Sequence, residues 1–143
     1  MAKILIVDDK KENREVLLNF FRFFGRKAPI EIDEAASGKE AVEKASTSKP
    51  DLILMDVNME TTYAGLDATK EIKTKYGKDI KIWAVTSQAM KGYEYEDSDE
   101  AKCLAAGCDK YISKPFDQKK MLFEISDQLD IPIPDRVRET FNE

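Results

Sequence analysis

The stretch Asp51-Leu52-Ile53-Leu54-Met55-Asp56-Val57-Asn58-Met59-Glu60 holds an apolar run, Leu52 to Met55, between Pro50 and a polar segment. A run this short cannot form a helix of its own. Its unbroken apolarity, without alternation, is the pattern of a strand buried on both faces, as in a parallel sheet. The strand's C-terminal end carries one carboxylate, Asp56. Taken alone, Asp56 is equally well a turn-starting aspartate. What the other strand ends carry decides between the two.

Upstream, Lys3 to Val7 is a short apolar strand that ends in Asp8-Asp9. The helix after it is predicted from Val16, Leu17, Phe20, Phe21 and Phe24, one broad apolar stripe closed by Gly25. Leu18 and Phe23 fall off that stripe, as extra core or as an exposed apolar patch. Ile30 to Ala35 alternates and reads as an edge-like strand. Ser37-Gly38-Lys39-Glu40 is a capping box that opens a helix running to about Ser46.

Downstream, a helix from Gly65 to Tyr76 turns Leu66, Thr69 and Ile72 inward and stops at Gly77. Ile80 to Val85 is a fourth strand and runs into Thr86-Ser87. A short helix, Ala101 to Ala106, is capped by Gly107. Lys110 to Ser113 is a fifth strand that ends at Lys114-Pro115. Asp117 caps a last helix with Met121, Leu122, Ile125 and Leu129 on one face. The tail, Asp130 to Glu143, contains Pro132 and Pro134 and reads as partly ordered or loose.

Strands alternating with helices define a doubly wound α/β domain with a five-stranded sheet and five helices. Such sheets place their sites in the crevice at the carboxyl ends of the strands. Those ends carry Asp8-Asp9, Asp56, Thr86 and Lys114, so the fold rule gathers acids, a hydroxyl and an ammonium at one rim. Carboxylates without histidine favour a hard, oxygen-loving cation, magnesium above all. A carboxylate is also a nucleophile toward phosphorus, and the arriving phosphoryl group needs a metal, a cation and a hydroxyl donor around it.

Composition narrows the function classes. The chain of 143 residues has a net charge of −5 and no histidine, which removes Ser-His-Asp and Cys-His catalysis and His-based zinc sites. Lys and Arg are scattered along helix-like segments, so no footprint for nucleic acid is expected. The N-terminus is neither a signal peptide nor a membrane span. Cys103 and Cys108 read as buried or half-buried thiols in a reducing cytoplasm, with a metal or disulfide role the weaker alternative.

The strand-end residues carry a resemblance. Ile4-Leu5-Ile6-Val7-Asp8-Asp9, Asp51-Leu52-Ile53-Leu54-Met55-Asp56, Ala84-Val85-Thr86-Ser87 and Tyr111-Ile112-Ser113-Lys114-Pro115 are together similar to the receiver (CheY-like) domain of two-component response regulators. The segment Lys102-Cys103-Leu104-Ala105-Ala106-Gly107-Cys108-Asp109 reads the same way. The resemblance covers about residues 1–129 and leaves 130–143 as a C-terminal tail. It implies a flavodoxin-like sheet of order 2-1-3-4-5, an order for which a member of this family is a standard example.

The resemblance also implies roles. Asp56 would be the phosphoacceptor. Asp8 and Asp9 would hold magnesium, with Asp56 and the backbone carbonyl of Asn58 as further ligands. Thr86 and Lys114 would meet the phosphoryl group, and Tyr111 would be the aromatic whose rotamer follows Thr86, its alternative being an ordinary strand tyrosine. The expected function is a phosphorylation-dependent switch and not a conventional enzyme, with self-phosphorylation from small donors and slow self-dephosphorylation. Its expected partners are a sensor histidine kinase or phosphotransfer protein and a downstream protein target, in the cytoplasm, with no nucleic acid and no membrane bound by this domain. A constitutive docking module on the same fold is the alternative. A magnesium-dependent phosphohydrolase is disfavoured because Asn58 stands where a general acid would be needed.

Two departures from the family stand out. Glu60 occupies the usual proline position and Gly65 comes about one residue late, so the loop after Asp56 is expected to be reshaped. The spacing from Thr86 to Lys114 is longer than usual, and the extra length falls within Tyr93–Glu100, where five of eight residues are acidic and two are tyrosine. That insert reads as a solvated loop, with Asp97 or Ser98 as a helix cap, or as a flap that selects a basic partner. No output domain follows residue 143, so a stand-alone regulator and a piece of a larger one both remain open.

Overall fold

In the computed structural model, which describes residues 1–57, 59, 63–87 and 99–141, the apolar runs form the interior of one parallel sheet. The strands are β1 (Ala2–Val7), β2 (Ile30–Ala35), β3 (Leu52–Met55), β4 (Lys81–Ser87) and β5 (Lys110–Lys114). Their order is β2-β1-β3-β4-β5, and every pairing is parallel. All four residues of β3 are buried, because β3 is covered on both sheet faces by helices and paired on both edges. β2 lies at the edge and alternates half-buried with exposed residues over most of its length, as its sequence predicts.

The helices are α1 (Lys11–Phe21), α2 (Gly38–Ser48), α3 (Ala64–Tyr76), α4 (Asp99–Ala106), α5 (Gln118–Leu129) and α6 (Asp135–Phe141). The expected caps form. Ser37 Oγ accepts from the Glu40 N–H at 3.0 Å, and Glu40 Oε1 accepts from the Ala36 N–H at 2.6 Å, one residue before the usual partner of a capping box. Asp117 Oδ1 accepts from the Lys120 N–H at 3.1 Å. Gly77 and Gly107 end α3 and α4 with φ of 56° and 112°, a region that a side chain disfavours.

The sheet divides the core into two layers. One layer holds Leu5, Val7, Ile53, Met55, Ile72, Ile82 and Cys103 on the α2–α3–α4 side. The other holds Ile4, Ile6, Phe20, Phe24, Leu54, Trp83 and Ile125 on the α1–α5 side. Both cysteines are buried thiols, and no disulfide joins them.

Three expectations need correction or extension. Val16 is 53% exposed and not part of the buried stripe of α1; it stands at the stripe's margin beside Leu17 and lines a shallow pocket with Lys114, Pro115 and Phe116. Leu18 and Phe23 are half-buried and pack against the α1–α5 layer, the core alternative. The tail is not loose over the described residues: it forms the sixth helix, α6, and buries Ile131, Ile133 and Val137 in that same layer. The acidic insert expected at Tyr93–Glu100 lies outside the described residues up to 98, and so do the caps expected at Asp97 or Ser98. α4 begins at Asp99, two residues before the expected start.

Because Ile133 is 3% exposed, Ile133→Ala is expected to lower the unfolding free energy by about 2–4 kcal/mol. Urea denaturation of the two proteins measures it. A change within about 0.5 kcal/mol, the usual size at a surface position, would mean that the tail does not belong to the core.

Candidate functional site

The strand register builds the site. Val7 pairs with Met55 and Met55 with Ala84, so Asp8 and Asp56 are the first residues past neighbouring strand ends, and Thr86 lies two residues beyond Ala84 on the next strand. On the outer side Thr86 pairs with Ser113 and Ser87 with Lys114, which brings the lysine to the same level. The sheet thus assembles side chains far apart in sequence.

Asp8 is 1% exposed, Asp9 is exposed and Asp56 is half-buried, and one carboxylate oxygen from each lies within 4.8 Å of the others. Three acids this close repel one another unless cations or donors intervene. Lys114 supplies the nearest cation: its Nζ lies 2.7 Å from Asp8 Oδ2. Asp8 Oδ1 accepts from the Lys10 N–H at 2.9 Å. Asp56 Oδ1 accepts from the Thr86 hydroxyl at 2.8 Å and from the Val57 N–H at 2.9 Å, and among the described residues no donor reaches Oδ2. Burial is the main influence on Asp56 and pushes its carboxyl above the usual range. The Asp8 charge adds to that rise, while Thr86, Lys114 and the Val57 N–H oppose it.

The structure therefore brings Asp8, Asp9, Asp56, Thr86 and Lys114 together. Asn58 and Glu60 lie outside the described residues. Tyr111 sits in β5, three residues before Lys114, half-buried against the layer that contains Cys103, Ala106 and Cys108. The three acids offer only oxygen donors, a set that fits a hard divalent cation and suits a soft one poorly.

Further residues shape the rim, and of these Arg14 and Tyr63 have no place in the sequence reading. Arg14 donates from a guanidinium nitrogen to the Asp8 carbonyl oxygen at 2.7 Å and from Nε to Glu34 Oε1 at 3.0 Å, tying α1 and β2 to the turn after β1. Tyr63 adopts φ of 68° just before α3, and its hydroxyl accepts from Lys102 Nζ of α4 at 2.8 Å. Gly65 packs directly on the end of β3. A Cβ there would lie 1.9 Å from the Asp56 carbonyl oxygen, while its N–H donates to the Val57 carbonyl at 2.8 Å. Glycine at the start of a predicted helix was a signal for Gly65. The contacts of Arg14 and Tyr63 depend on tertiary placement and leave no local pattern.

A parallel 2-1-3-4-5 sheet with acids, a threonine and a lysine at its strand ends defines a receiver-type α/β signalling domain. The chain belongs to the response regulator receiver domain family, which it matches over residues 4–126. It is 40% identical over 118 residues to the response regulator protein VraR of Staphylococcus aureus, covering 82% of this chain and 51% of VraR. It is 36% identical over 126 residues to hybrid signal transduction histidine kinase G of Dictyostelium discoideum, covering 87% of this chain and 3% of that protein. The chain thus spans about half of the first relative's length and a small part of the second's. Among solved structures it is similar to the receiver domain of sensor histidine kinase PA1611 from Pseudomonas aeruginosa, in which magnesium is coordinated in the active-site cleft. That similarity has a TM-score of 0.73 at 29% identity and covers 90% of this chain and 98% of the other.

Two outcomes are expected of the site's packing and charge. Gly65→Ala should cost about 1–3 kcal/mol, since the new methyl group must displace the Asp56 main chain; unchanged denaturant unfolding would contradict that contact. A carboxyl whose folded pKa is raised binds its proton more tightly in the folded than in the unfolded state. Its contribution to stability therefore falls as pH rises from the unfolded value, about 4, through the folded one. In magnesium-free buffer, Asp56→Asn should melt above wild type at pH 7 and lose that advantage below about pH 4. A variant that melts lower at both pH values would overturn the account of Asp56's burial.

Proposed function

We propose that this domain is a phosphorylation-dependent switch whose phosphoacceptor is Asp56. The observation that carries it is the half-buried Asp56 carboxylate with one oxygen held by Thr86 and Val57 and the other without a donor among the described residues, beside a lysine engaged by Asp8. Oδ2 attacks the phosphorus of a phosphohistidine on a kinase or phosphotransfer protein. The phosphorus–nitrogen bond breaks, its electron pair returns to the imidazole, and the imidazole takes a proton from solvent. The product is an acyl phosphate on Asp56, and later attack by water on phosphorus releases inorganic phosphate and restores the carboxylate.

A magnesium ion held by Asp8, Asp9, Asp56 and the main-chain carbonyl of Asn58 would neutralise charge on the phosphoryl oxygens. Val57 N–H and the Thr86 hydroxyl orient the carboxylate before transfer. Once the phosphoryl group is in place, the Thr86 hydroxyl turns to one of its oxygens and Lys114 exchanges Asp8 for another. Withdrawal of Thr86 toward the site frees space beside β4, and Tyr111 on the neighbouring strand responds. The ligand biases an equilibrium between two arrangements of this face. The setting is cytoplasmic, and the downstream partner is a protein. Among the described residues no helix is long and apolar enough to cross a membrane.

Incubation with magnesium and acetyl phosphate should add one phosphoryl group, labile to base, and intact-mass spectrometry reads it directly. Asp56→Asn should stay unlabelled; equal labelling of that variant, or an unchanged wild-type mass, would sink the assignment. Lys114→Ala should label on the order of a hundredfold more slowly. Its NMR shifts around Tyr111 should move little after labelling, and a full wild-type response in that variant would count against the role given to Lys114.

A further inference from the structure

Three arginines remote from the acidic rim have no ion-pair partner among the described residues. Arg22 follows α1, Arg26 follows Gly25 and Arg136 lies in α6, and all three are exposed. None of their side chains forms a hydrogen bond with a described residue either. They line one groove of about 650 Å³ with an apolar floor that includes Leu18, Phe21 and Ile32, and among the described residues no acidic side chain lines it. In a chain of net charge −5, this is a local concentration of unpaired cations against the overall field.

The groove's position separates it from the phosphoryl chemistry. It lies where α1 ends and β2 begins, and parallel strands place that end of the sheet opposite the ends that carry Asp8 and Asp56. Arg136 comes from beyond residue 126, where the family match stops, so the wall contributed by α6 is outside the shared domain.

The chemistry of the walls selects an occupant. Guanidinium groups pair with carboxylates in planar, two-pronged contacts, and three of them around one floor suit several carboxylates spaced along a chain. A bilayer is engaged by apolar side chains that protrude from a surface, whereas this floor is recessed between two helices and a strand. A segment that inserts its own side chains fits a recess. We propose that the groove between α1, β2 and α6 docks an acidic segment of a partner protein that carries large apolar side chains. The apolar groups fill the floor, and the carboxylates pair with Arg22, Arg26 and Arg136. Charge complementarity gives the contact its selectivity and its sensitivity to salt.

The test is selection of a random peptide library, displayed on phage, against the full chain at low salt. The expected consensus combines several Asp or Glu with Leu, Ile, Phe or Trp. A synthetic peptide of that consensus should bind in fluorescence polarisation and lose about tenfold or more in affinity on the triple variant R22Q/R26Q/R136Q. The three side chains are exposed and unpaired, so the variant's thermal melt should match wild type. Four results would overturn the proposal. The first is a library without an acidic consensus, and the second is a triple variant with undiminished affinity. The third is equal binding of a control peptide in which Ser replaces every apolar residue. The fourth is Arg-dependent binding of phosphatidylserine–phosphatidylcholine vesicles with none of peptides.

Discussion

The ion pair between Lys114 and Asp8 is the contact on which the rim depends. It joins the outermost strand β5 to β1 at 2.7 Å, with Asp8 almost wholly shielded and Lys114 largely so. An ion pair this buried contributes little net stability, since the cost of desolvating both charges offsets most of their attraction. Its role is to make the crowding of acids tolerable. Without a cation, the carboxylates of Asp8, Asp9 and Asp56 would face one another across less than 5 Å of partly dry space. Removal of either partner would leave the other charge buried and unpaired, so neither position is free to vary alone. On the proposed function the same contact has a second consequence: a lysine held by one carboxylate is already at the rim, with little left to reorganise, when a phosphoryl group arrives beside it.

The parallel sheet makes such a rim available at low cost. Each strand end is a place where apolar packing stops and a polar side chain can stand half-dry, supported by main-chain donors such as the N–H groups of Lys10 and Val57. Burial then raises the proton affinity of Asp56 while the Thr86 hydroxyl and Lys114 pull it down. The balance keeps the carboxylate ionisable yet poorly solvated, which is the condition under which a carboxylate oxygen is a better nucleophile. Gly65 belongs to the same device: only a residue without a side chain lets α3 start against the Asp56 carbonyl.

The strands, five of the helices and the rim residues were legible in the sequence for a common reason. A strand buried on both faces writes an unbroken apolar run, and a helix end writes a cap, so each leaves a local trace. Val16 misled because spacing alone says which residues share a stripe and not how wide the buried part of it is. Leu17 and Phe20 are buried, while Val16, at the margin of the stripe, is exposed. The α6 segment was hidden by its brevity and its prolines; Ile131, Ile133 and Val137 become core only because α1 and α5 leave an open apolar surface for them. Arg14 on the Asp8 carbonyl and Tyr63 under Lys102 are contacts across long sequence gaps, and nothing in the residues around them anticipates a partner.

The division of the core by the sheet bears on how the proposed switch and the proposed docking groove would share so small a domain. Tyr111 packs on the α2–α3–α4 layer, while its neighbour Ile112 packs on the α1–α5 layer that also receives the tail. On the proposed function, a rearrangement that follows Thr86 and Tyr111 would pass first through one layer, toward α4. The arginine-lined groove rests on the other layer, near the far end of β2, and shares no side chain with the rim. Interiors this well packed transmit a displacement where side chains touch and absorb little elsewhere. Among the described residues the strands contribute side chains to both layers. Two connections join the Asp56 rim to the groove: β1 with its pairing to the edge strand β2, and α1, which Arg14 ties to the Asp8 turn at its start and which reaches the groove at its end. Of the two, α1 is the more direct, because one helix links both ends, whereas β2 is paired on one side alone among the described residues.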